Sequence, residues 1–172
     1  MKIHQFNIQF SPEEDRIIFR LNTVNKEEFR FFFTRRFVKL LWPVLLKLLE
    51  NGYKAIAPEK SHVAKDLLEF EHDSVVSKAD FTQKYSENVQ TYPLGEDIIL
   101  LNGIKVKQNP KGNVLCFFAS KGKGIEFQVD NTFLHTFCEI LNNVVKKAGW
   151  DMKLVFPRRI QGEAVPSDRV LH

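Results

Sequence analysis

The chain has little cysteine: Cys116 and Cys138 are the only two among its 172 residues. Both lie in apolar segments, and the five histidines are scattered, so no Cys/His spacing typical of a metal site is present. A disulfide-stapled secreted domain is therefore excluded, and we expect two reduced, buried thiols of the kind found in cytoplasmic proteins. We expect neither a metal nor another cofactor.

Long apolar runs are also missing. The longest, over residues 40–46, is far shorter than the roughly 20 residues that span a bilayer. Residues 1–6 alternate polar and apolar side chains and contain no signal-peptide core. These absences favour a cytoplasmic protein that makes no membrane contact.

Tyrosine and tryptophan are scarce, with three and two residues, against sixteen phenylalanines. Hydrophobic residues make up 44% of the chain and charged residues 27%, as in ordinary globular proteins, which excludes disorder of the whole chain. Many phenylalanines occur in alternating segments, where a flat apolar ring packs well on a pleated face. The composition therefore predicts a folded domain whose strands carry much of the phenylalanine.

The first part of the chain has the pattern of a β-meander followed by a helix. Alternation predicts three strands, over residues 3–10, 16–23 and 28–33. Thr34 is expected to cap a helix that runs from Arg35 to about Glu50, and Asn51-Gly52 to end it in a left-handed conformation. Apolar residues occupy most of the helix circumference, so we expect four core residues here: Phe37, Leu41, Trp42 and Leu45.

A second meander and helix follow. Strands are predicted over residues 98–101, 104–107, 114–119 and 125–129. Asn102-Gly103, between the first two, favours a tight hairpin or a bulge. Asn131 or Thr132 is expected to cap a helix that ends at Gly149. Its polar stripe, expected to face solvent, comprises His135, Glu139, Asn142, Asn143 and Lys146.

These patterns predict the fold class and the domain organisation. The class is α+β, with two antiparallel β-meander-plus-helix units, βββα and then ββββα, joined by a helical connector. Residues 1–156 are expected to form a single domain, made of two pseudo-repeats (1–53 and 97–150) and the connector (54–96). Residues 157–172 have little apolar content and are predicted to be a flexible C-terminal tail.

The pair Arg35-Arg36 is unusual because cations in the first turn of a helix oppose its dipole. Two arginines beside free backbone N–H groups can bind an anion such as a phosphate or a carboxylate. The alternative is a salt bridge within the protein to an acidic residue of a nearby turn. The candidates for that role are Glu13, Glu14, Asp15, Glu27 and Glu28.

The second meander is basic. No acidic residue lies between Asp97 and Glu126, and the net charge of the chain is +4. Lysines on these strands and turns, next to Phe117 and Phe118, predict a surface for single-stranded nucleic acid, with phosphates near the lysines and bases near the aromatic rings. The alternative is a set of lysines that keeps a sheet edge soluble. The predicted binding residues are Arg35, Arg36, Lys105, Lys107, Lys121 and Lys123.

No catalytic constellation is visible, so an enzyme is not predicted. His72 and Asp73 lie near Glu69 and Glu71, but adjacent residues of a helix point in different directions and do not converge. His135 and Glu139 are four residues apart on the second predicted helix, and a metal site needs a third ligand. The sequence predicts no metal site.

Several segments resemble an uncharacterised family of bacterial proteins. They are Glu14-Asp15-Arg16, Arg20-Leu21-Asn22-Thr23, residues 31–38 with Leu41-Trp42, Ala79-Asp80-Phe81, Pro93-Leu94-Gly95-Glu96, and Leu134-His135 with Phe137-Cys138. This resemblance implies a bacterial cytoplasmic protein and assigns no activity to any residue. The layout of two meander-plus-helix units also resembles the PUR-type and Whirly-type single-stranded nucleic-acid binders, although those have four strands in each unit.

We therefore predict a non-enzymatic binding protein. Its expected partner is single-stranded nucleic acid or another polyanion, including an acidic protein surface, bound by the basic meander. The alternative is a protein–protein adaptor that engages its partner through the connector and the tail. The sequence does not indicate the oligomeric state.

Overall fold

The structure, a computed structural model, describes residues 1–56, 64–86 and 88–156. The elements within these residues are, in chain order, β1 (Ile3–Ser11), β2 (Arg16–Thr23), β3 (Glu28–Phe33), α1 (Arg35–Ile56), α2 (Ala64–Lys78), β4 (Ile99–Asn109), β5 (Gly112–Ala119), a 3₁₀ turn (Ser120–Gly122), β6 (Gly124–Val129) and α3 (Asn131–Lys147). The protein is therefore α+β, as expected. The predicted tail (157–172) lies outside the described residues.

The strands form one six-stranded mixed sheet with the order β1-β2-β3-β4-β5-β6. Each meander is antiparallel, and β3 and β4 join them in parallel through the pairs Phe31–Ile99 and Phe32–Leu100. The predicted arrangement of two antiparallel units does not include this parallel pairing of β3 with β4. It forms because the chain leaves the sheet at the end of β3, passes through α1 and α2, and returns beside β3 in the same direction.

The second meander has three strands, so the prediction of four was wrong. Residues 99–101 and 104–107 belong to one strand, β4, whose pairing with β5 shifts between Leu101 and Gly103. Asn102-Gly103 is thus a bulge and not a hairpin. A Cβ at position 103 would lie only 2.4 Å from the ring of Phe118. Glycine, which has no Cβ, allows this close packing.

Phenylalanine fills the core between the sheet and the helices. Phe19 and Phe33 of the first meander contact Phe117 of the second, with ring centroids 6.0 and 5.8 Å apart. Phe37 of α1 packs on Phe117 at 5.6 Å, and Phe137 of α3 packs on Phe19 at 5.5 Å. The helices therefore cover the face of the sheet that carries these rings, which we call the inner face.

Helix α1 begins as predicted and ends later than predicted. The Thr34 hydroxyl accepts a hydrogen bond from the N–H of Phe37 at 3.1 Å, which confirms the cap. The helix continues through Gly52 to Ile56. At Gly52 the glycine serves a close approach, because a Cβ there would lie 2.9 Å from the Asn131 side chain. Tyr53 then bonds to the Leu67 carbonyl of α2 at 3.1 Å, and this contact favours another helical turn over a left-handed cap.

Helix α3 is capped one residue earlier than predicted. The side chain of Asp130 accepts a hydrogen bond from the N–H of Phe133 at 2.7 Å, whereas Asn131 or Thr132 was expected in this role. A carboxylate suits the position because it also complements the helix dipole. Gly149 ends the turn after α3 with a φ of +64°, as predicted. None of the described helices is long and apolar enough to cross a membrane.

The connector is helical only in part. The predicted helical connector (54–96) contains the end of α1 and the whole of α2, and the described residues between α2 and β4 are mostly irregular and cross the face of the sheet opposite the helices. Hydrogen bonds from the sheet hold this part, including one from the N–H of Glu28 to the Thr91 carbonyl at 3.0 Å. After α3, residues 151–156 form no strand, and Leu154 and Phe156 are buried in the core.

Candidate anion-binding surface and a buried histidine pair

The outer face of the sheet, opposite the helices, is partly covered over the first meander. A segment that we call the strap (residues 85–86 and 88–92) lies against it. Tyr85 Oη donates to Glu28 Oε2 at 2.9 Å, and the guanidinium of Arg30 donates to Tyr92 Oη at 2.8 Å. Asn22 Nδ2 donates to the Ser86 carbonyl at 3.3 Å. The strap therefore occupies the outer face of β1–β3.

Beneath the strap, Glu28 and Arg30 form an ion pair, and Arg20 contacts an aromatic ring. The Glu28 carboxylate is only 2% exposed and accepts a hydrogen bond from Arg30 Nε at 2.5 Å. The Arg20 guanidinium lies over the ring of Tyr85 at 4.6 Å, and burial together with the bond to Glu28 raises the pKa of that phenol. Arg20 and Arg30 are thus engaged in internal contacts, and they offer little to an external anion.

The outer face of the second meander is exposed. Lys105 and Lys107 both point outwards from β4, and they pair in register with Cys116 and Val114. Lys105 Nζ lies 5.7 Å from the ring centroid of Phe118, which is half-buried. Proteins that bind single-stranded nucleic acid commonly place a cation beside a partly exposed aromatic ring.

Lys107 is not free to bind an anion in the way predicted. Its Nζ lies 2.5 Å from Glu126 Oε1 on β6, and this hydrogen bond raises the pKa of Lys107 and lowers that of Glu126. The absence of acids between residues 97 and 126 concealed the pair, because Glu126 lies at the end of that interval and reaches β4 across β5.

Arg36 and the turn lysines lie at one end of the sheet. The parallel pairing of β3 with β4 brings the start of α1 beside Asn102, which lines the same cavity as Arg36. Asn102 Nδ2 donates to Ser120 Oγ at 3.1 Å, so the turn that carries Lys121 and Lys123 is next to it. All three cationic side chains are exposed, and the first turn of α1 contains no acidic residue.

The cavity beside Arg36 has a volume of about 350 Å³. Its lining residues are Thr34, Arg36, Phe37, Leu40, Leu100, Leu101 and Asn102. Leu40 and Leu100 are 47% and 43% exposed, so apolar surface adjoins the cationic side chain. We use the name basic surface for Arg36, Lys105, Lys121 and Lys123 with the ring of Phe118.

Arg35 follows the alternative interpretation of the arginine pair. Its guanidinium donates to Asp15 Oδ2 at 2.8 Å and lies over the ring of Trp150 at 5.4 Å. Trp150 Nε1 donates to the other oxygen of Asp15, and this bond and the nearby Arg35 lower the pKa of that carboxyl. Two neighbouring arginines therefore differ: Arg35 is bound within the protein, and Arg36 is exposed to solvent.

A polar cluster between the three helices was not predicted. His135 of α3 was expected to face solvent but is completely buried, because α2 packs over that side of α3. Its Nδ1 lies 3.2 Å from Nδ1 of His72, which is 9% exposed. Helices α2 and α3, neither of which carries a site by itself, thus supply one histidine each.

Carboxylates flank the histidine pair on both sides. His72 Nε2 lies 3.3 Å from Glu139 Oε2, and His135 Nε2 lies 3.6 Å from Glu71 Oε2. Glu71 also accepts a hydrogen bond from the hydroxyl of Tyr53 on α1, and burial together with this bond raises the pKa of Tyr53. We call these five residues the histidine cluster.

The sequence contained half of the signal for the histidine cluster. The sequence shows the i,i+4 spacing of His135 and Glu139 and the adjacent Glu71-His72, but no local pattern indicates that α2 and α3 pack together. Within the described part of the chain, no three His, Cys, Asp or Glu side chains are placed to hold a metal ion. The arrangement is suited to holding and moving a proton between imidazole rings and carboxylates.

Two open clefts follow the edge strand β1. They have volumes of about 480 and 780 Å³ and share His4, Gln5, Phe6 and Thr136 as lining residues. Side chains of both charge signs, including Lys147, Asp80 and Asp130, lie along them. They do not gather charge of one sign, as the basic surface does.

Comparison with protein-family models, with curated proteins and with solved structures finds no match for this chain. The function is therefore inferred from the residues alone.

Proposed function

We propose that this protein is a non-enzymatic binder of single-stranded nucleic acid, or of a polyanion with similar charge spacing, through the basic surface. The observation that carries the proposal is the position of Lys105 beside the half-exposed ring of Phe118, with Lys121, Lys123 and Arg36 at the same end of the sheet. Phosphates would lie near the cations, and a base would stack on the ring.

The strap supports this assignment of faces. It occupies the outer face of β1–β3, so a ligand has access to the outer face of β4–β6. Lys107 and Arg35 contribute less than predicted, since each already has an acidic partner in Glu126 and Asp15. We also propose that the layout is related to that of the PUR-type and Whirly-type binders, although each meander here has three strands and theirs has four.

The test is binding of a fluorescent oligonucleotide of about 10 nucleotides, which is within the range of common single-strand sites. We expect the logarithm of affinity to fall linearly with the logarithm of the salt concentration. Changing Arg36, Lys105, Lys121 and Lys123 together to Glu should abolish binding. The matched control carries the same charge change at four exposed lysines outside the basic surface: Lys39, Lys47, Lys84 and Lys153.

Equal loss of affinity in both variants would mean that net charge, and not the basic surface, attracts the ligand. A second variant, Phe118→Leu, keeps an apolar side chain above Gly103 and removes the aromatic ring. It should weaken binding by about 1–3 kcal/mol if a base stacks there. No oligonucleotide binding by the wild-type protein even at low salt would contradict the proposal.

One observation favours an adaptor as the second candidate. Phe70 on α2 is 75% exposed, the most exposed of the large hydrophobic side chains in the described residues. An exposed aromatic residue is a common anchor for a protein partner. Phe70→Ser should leave oligonucleotide binding unchanged, since α2 lies on the helical side of the sheet, so the two candidates are separable.

A further inference from the structure

Each ring nitrogen of the buried histidine pair faces one defined group. The two Nδ1 atoms face each other at 3.2 Å, and the two Nε2 atoms face Glu139 and Glu71. A hydrogen bond between the Nδ1 atoms needs one proton between them, because two lone pairs or two N–H groups at this distance would repel. The number of protons on the pair is therefore restricted by the geometry.

The distances assign the protons of the neutral pair. His72 Nε2 is within hydrogen-bond distance of Glu139, so this nitrogen carries a proton and donates it. His72 Nδ1 is then an acceptor, and His135 Nδ1–H donates to it. His135 Nε2 consequently has no proton, which agrees with its longer distance of 3.6 Å to Glu71 and with its lack of a hydrogen-bond partner.

A further proton can enter only at His135 Nε2, and burial opposes it. The titratable groups around this atom are Tyr53 from α1, Glu71 and His72 from α2, and Glu139 on its own helix, where Cys138 is also buried. Burial lowers the pKa of His135, the nearby Glu71 opposes this effect, and His72 adds to it. The charged state is therefore less favourable in the folded protein than in water.

Helix α2 depends on this cluster for its position. Among its described side chains (66–78), only Leu68 and His72 are buried. The ring of His72 also stacks on Phe156, with centroids 4.1 Å apart, so the segment after α3 rests on the same imidazole. An element with so few buried apolar contacts opens at low free-energy cost.

We propose that the His72–His135 pair is an acid-sensitive latch, in which uptake of one proton releases α2 and the segment ending at Phe156 from α1 and α3. The pair contributes its stability fully above the ordinary histidine range, about 6.5. Because the pKa of His135 is lowered in the folded state, that contribution is lost as the pH falls through the lowered value. The opening equilibrium then shifts by up to about tenfold per pH unit for one proton.

The first test uses the wild-type protein with ¹⁵N-labelled histidine. Imidazole NMR spectra should show His135 as the neutral Nδ1–H form at neutral pH, and should show its protonation at a pH below the ordinary histidine value of about 6.5. Amide hydrogen exchange, corrected for the intrinsic pH dependence, should then show earlier loss of protection in α2 than in α1 as the pH falls. If His135 titrates at that ordinary value, or if α2 and α1 lose protection together, there is no latch.

The second test is Glu71→Gln, which exchanges one carboxylate oxygen for an amide. The new NH₂ group can donate to the bare His135 Nε2, and the amide oxygen can still accept from Tyr53. The variant should therefore stabilise the neutral form of the histidine pair. The backbone amides of α2 should then stay protected from exchange to a lower pH than in the wild type. Glu13→Gln, at an exposed position, is the control and should change nothing. An unchanged or earlier opening in Glu71→Gln would overturn the proposal.

Discussion

The indole N–H of Trp150 donates a hydrogen bond to Oδ1 of Asp15 at 2.8 Å, and this bond ties the end of α3 to the turn between β1 and β2. Trp150 is 4% exposed, and its ring packs edge-on against Phe10 at 6.1 Å. Asp15 has a positive φ of 46°, a conformation that Asp tolerates better than most residues. The carboxylate of Asp15 thus connects the β1–β2 turn both to the start of α1, through Arg35, and to the end of α3, through Trp150.

Trp150→Phe should lower the free energy of unfolding by about 1 kcal/mol through loss of the hydrogen bond, with a further loss from the smaller ring. Urea denaturation measures the change. In an Asp15→Ala background the same substitution should cost less, because the acceptor is already absent. Equal costs in the two backgrounds would show that the bond adds nothing to stability.

Asp15 should also contribute to acid sensitivity. Its pKa is lowered in the folded state by the Trp150 N–H and by Arg35, so its stabilising effect is present above the ordinary Asp value of about 3.9 and is lost as the pH falls through the lowered value. Urea midpoints measured between about pH 6 and pH 3 should therefore decrease less steeply in Asp15→Asn than in the wild type. Parallel curves would contradict this expectation.

Helix α1 offers a matched pair of leucines for testing the core. Leu45 is completely buried, and Leu40 on the same helix is 47% exposed. Leu45→Ala should lower the free energy of unfolding by about 2–5 kcal/mol, and Leu40→Ala by much less. Similar losses in the two variants, measured by chemical denaturation, would mean that α1 does not pack as described.

The segment after α3 can be tested in the same way. Phe156 is 9% exposed, and Trp42 Nε1 donates to the neighbouring Val155 carbonyl at 3.1 Å. Phe156→Ala should lower the free energy of unfolding by about 3 kcal/mol. Deletion of residues 158–172 should leave the melting temperature unchanged, a prediction that follows from their low apolar content. A large loss on deletion would contradict it.

The local patterns predicted much of the fold. Thr34 was recognised as a cap from its position before an apolar helix, and Leu41 and Leu45 were expected in the core where they lie. These predictions succeeded because caps and helical periodicity are properties of neighbouring residues. For Asn102-Gly103 the sequence predicts either a bulge or a hairpin, because this dipeptide favours both, and the close packing of Phe118 on Gly103 is a tertiary contact that no local pattern shows.

The predictions that failed depended on tertiary contacts. His135 lies on a polar stripe of α3, and only the packing of α2 buries it. Lys107 and Glu126 are paired across an intervening strand, so sequence distance concealed a short contact. Asn51-Gly52 is a typical helix end, but α1 continues through it, with Gly52 against Asn131 and Tyr53 bonded to the Leu67 carbonyl. In each case a partner distant in sequence determined the outcome.

The parallel junction between β3 and β4 also has a consequence for folding kinetics. Both meanders are built from contacts between neighbouring strands, so each can form early at small loop-closure cost. To join the two meanders, the chain must leave the sheet at Phe33 and return at Ile99. This pairing of β3 with β4 is stabilised by only two residue pairs. Closing this long loop should therefore limit the folding rate. Because Phe117 lies on the second meander and Phe19 and Phe33 on the first, we expect their inner-face contacts to form in the step that joins the two halves.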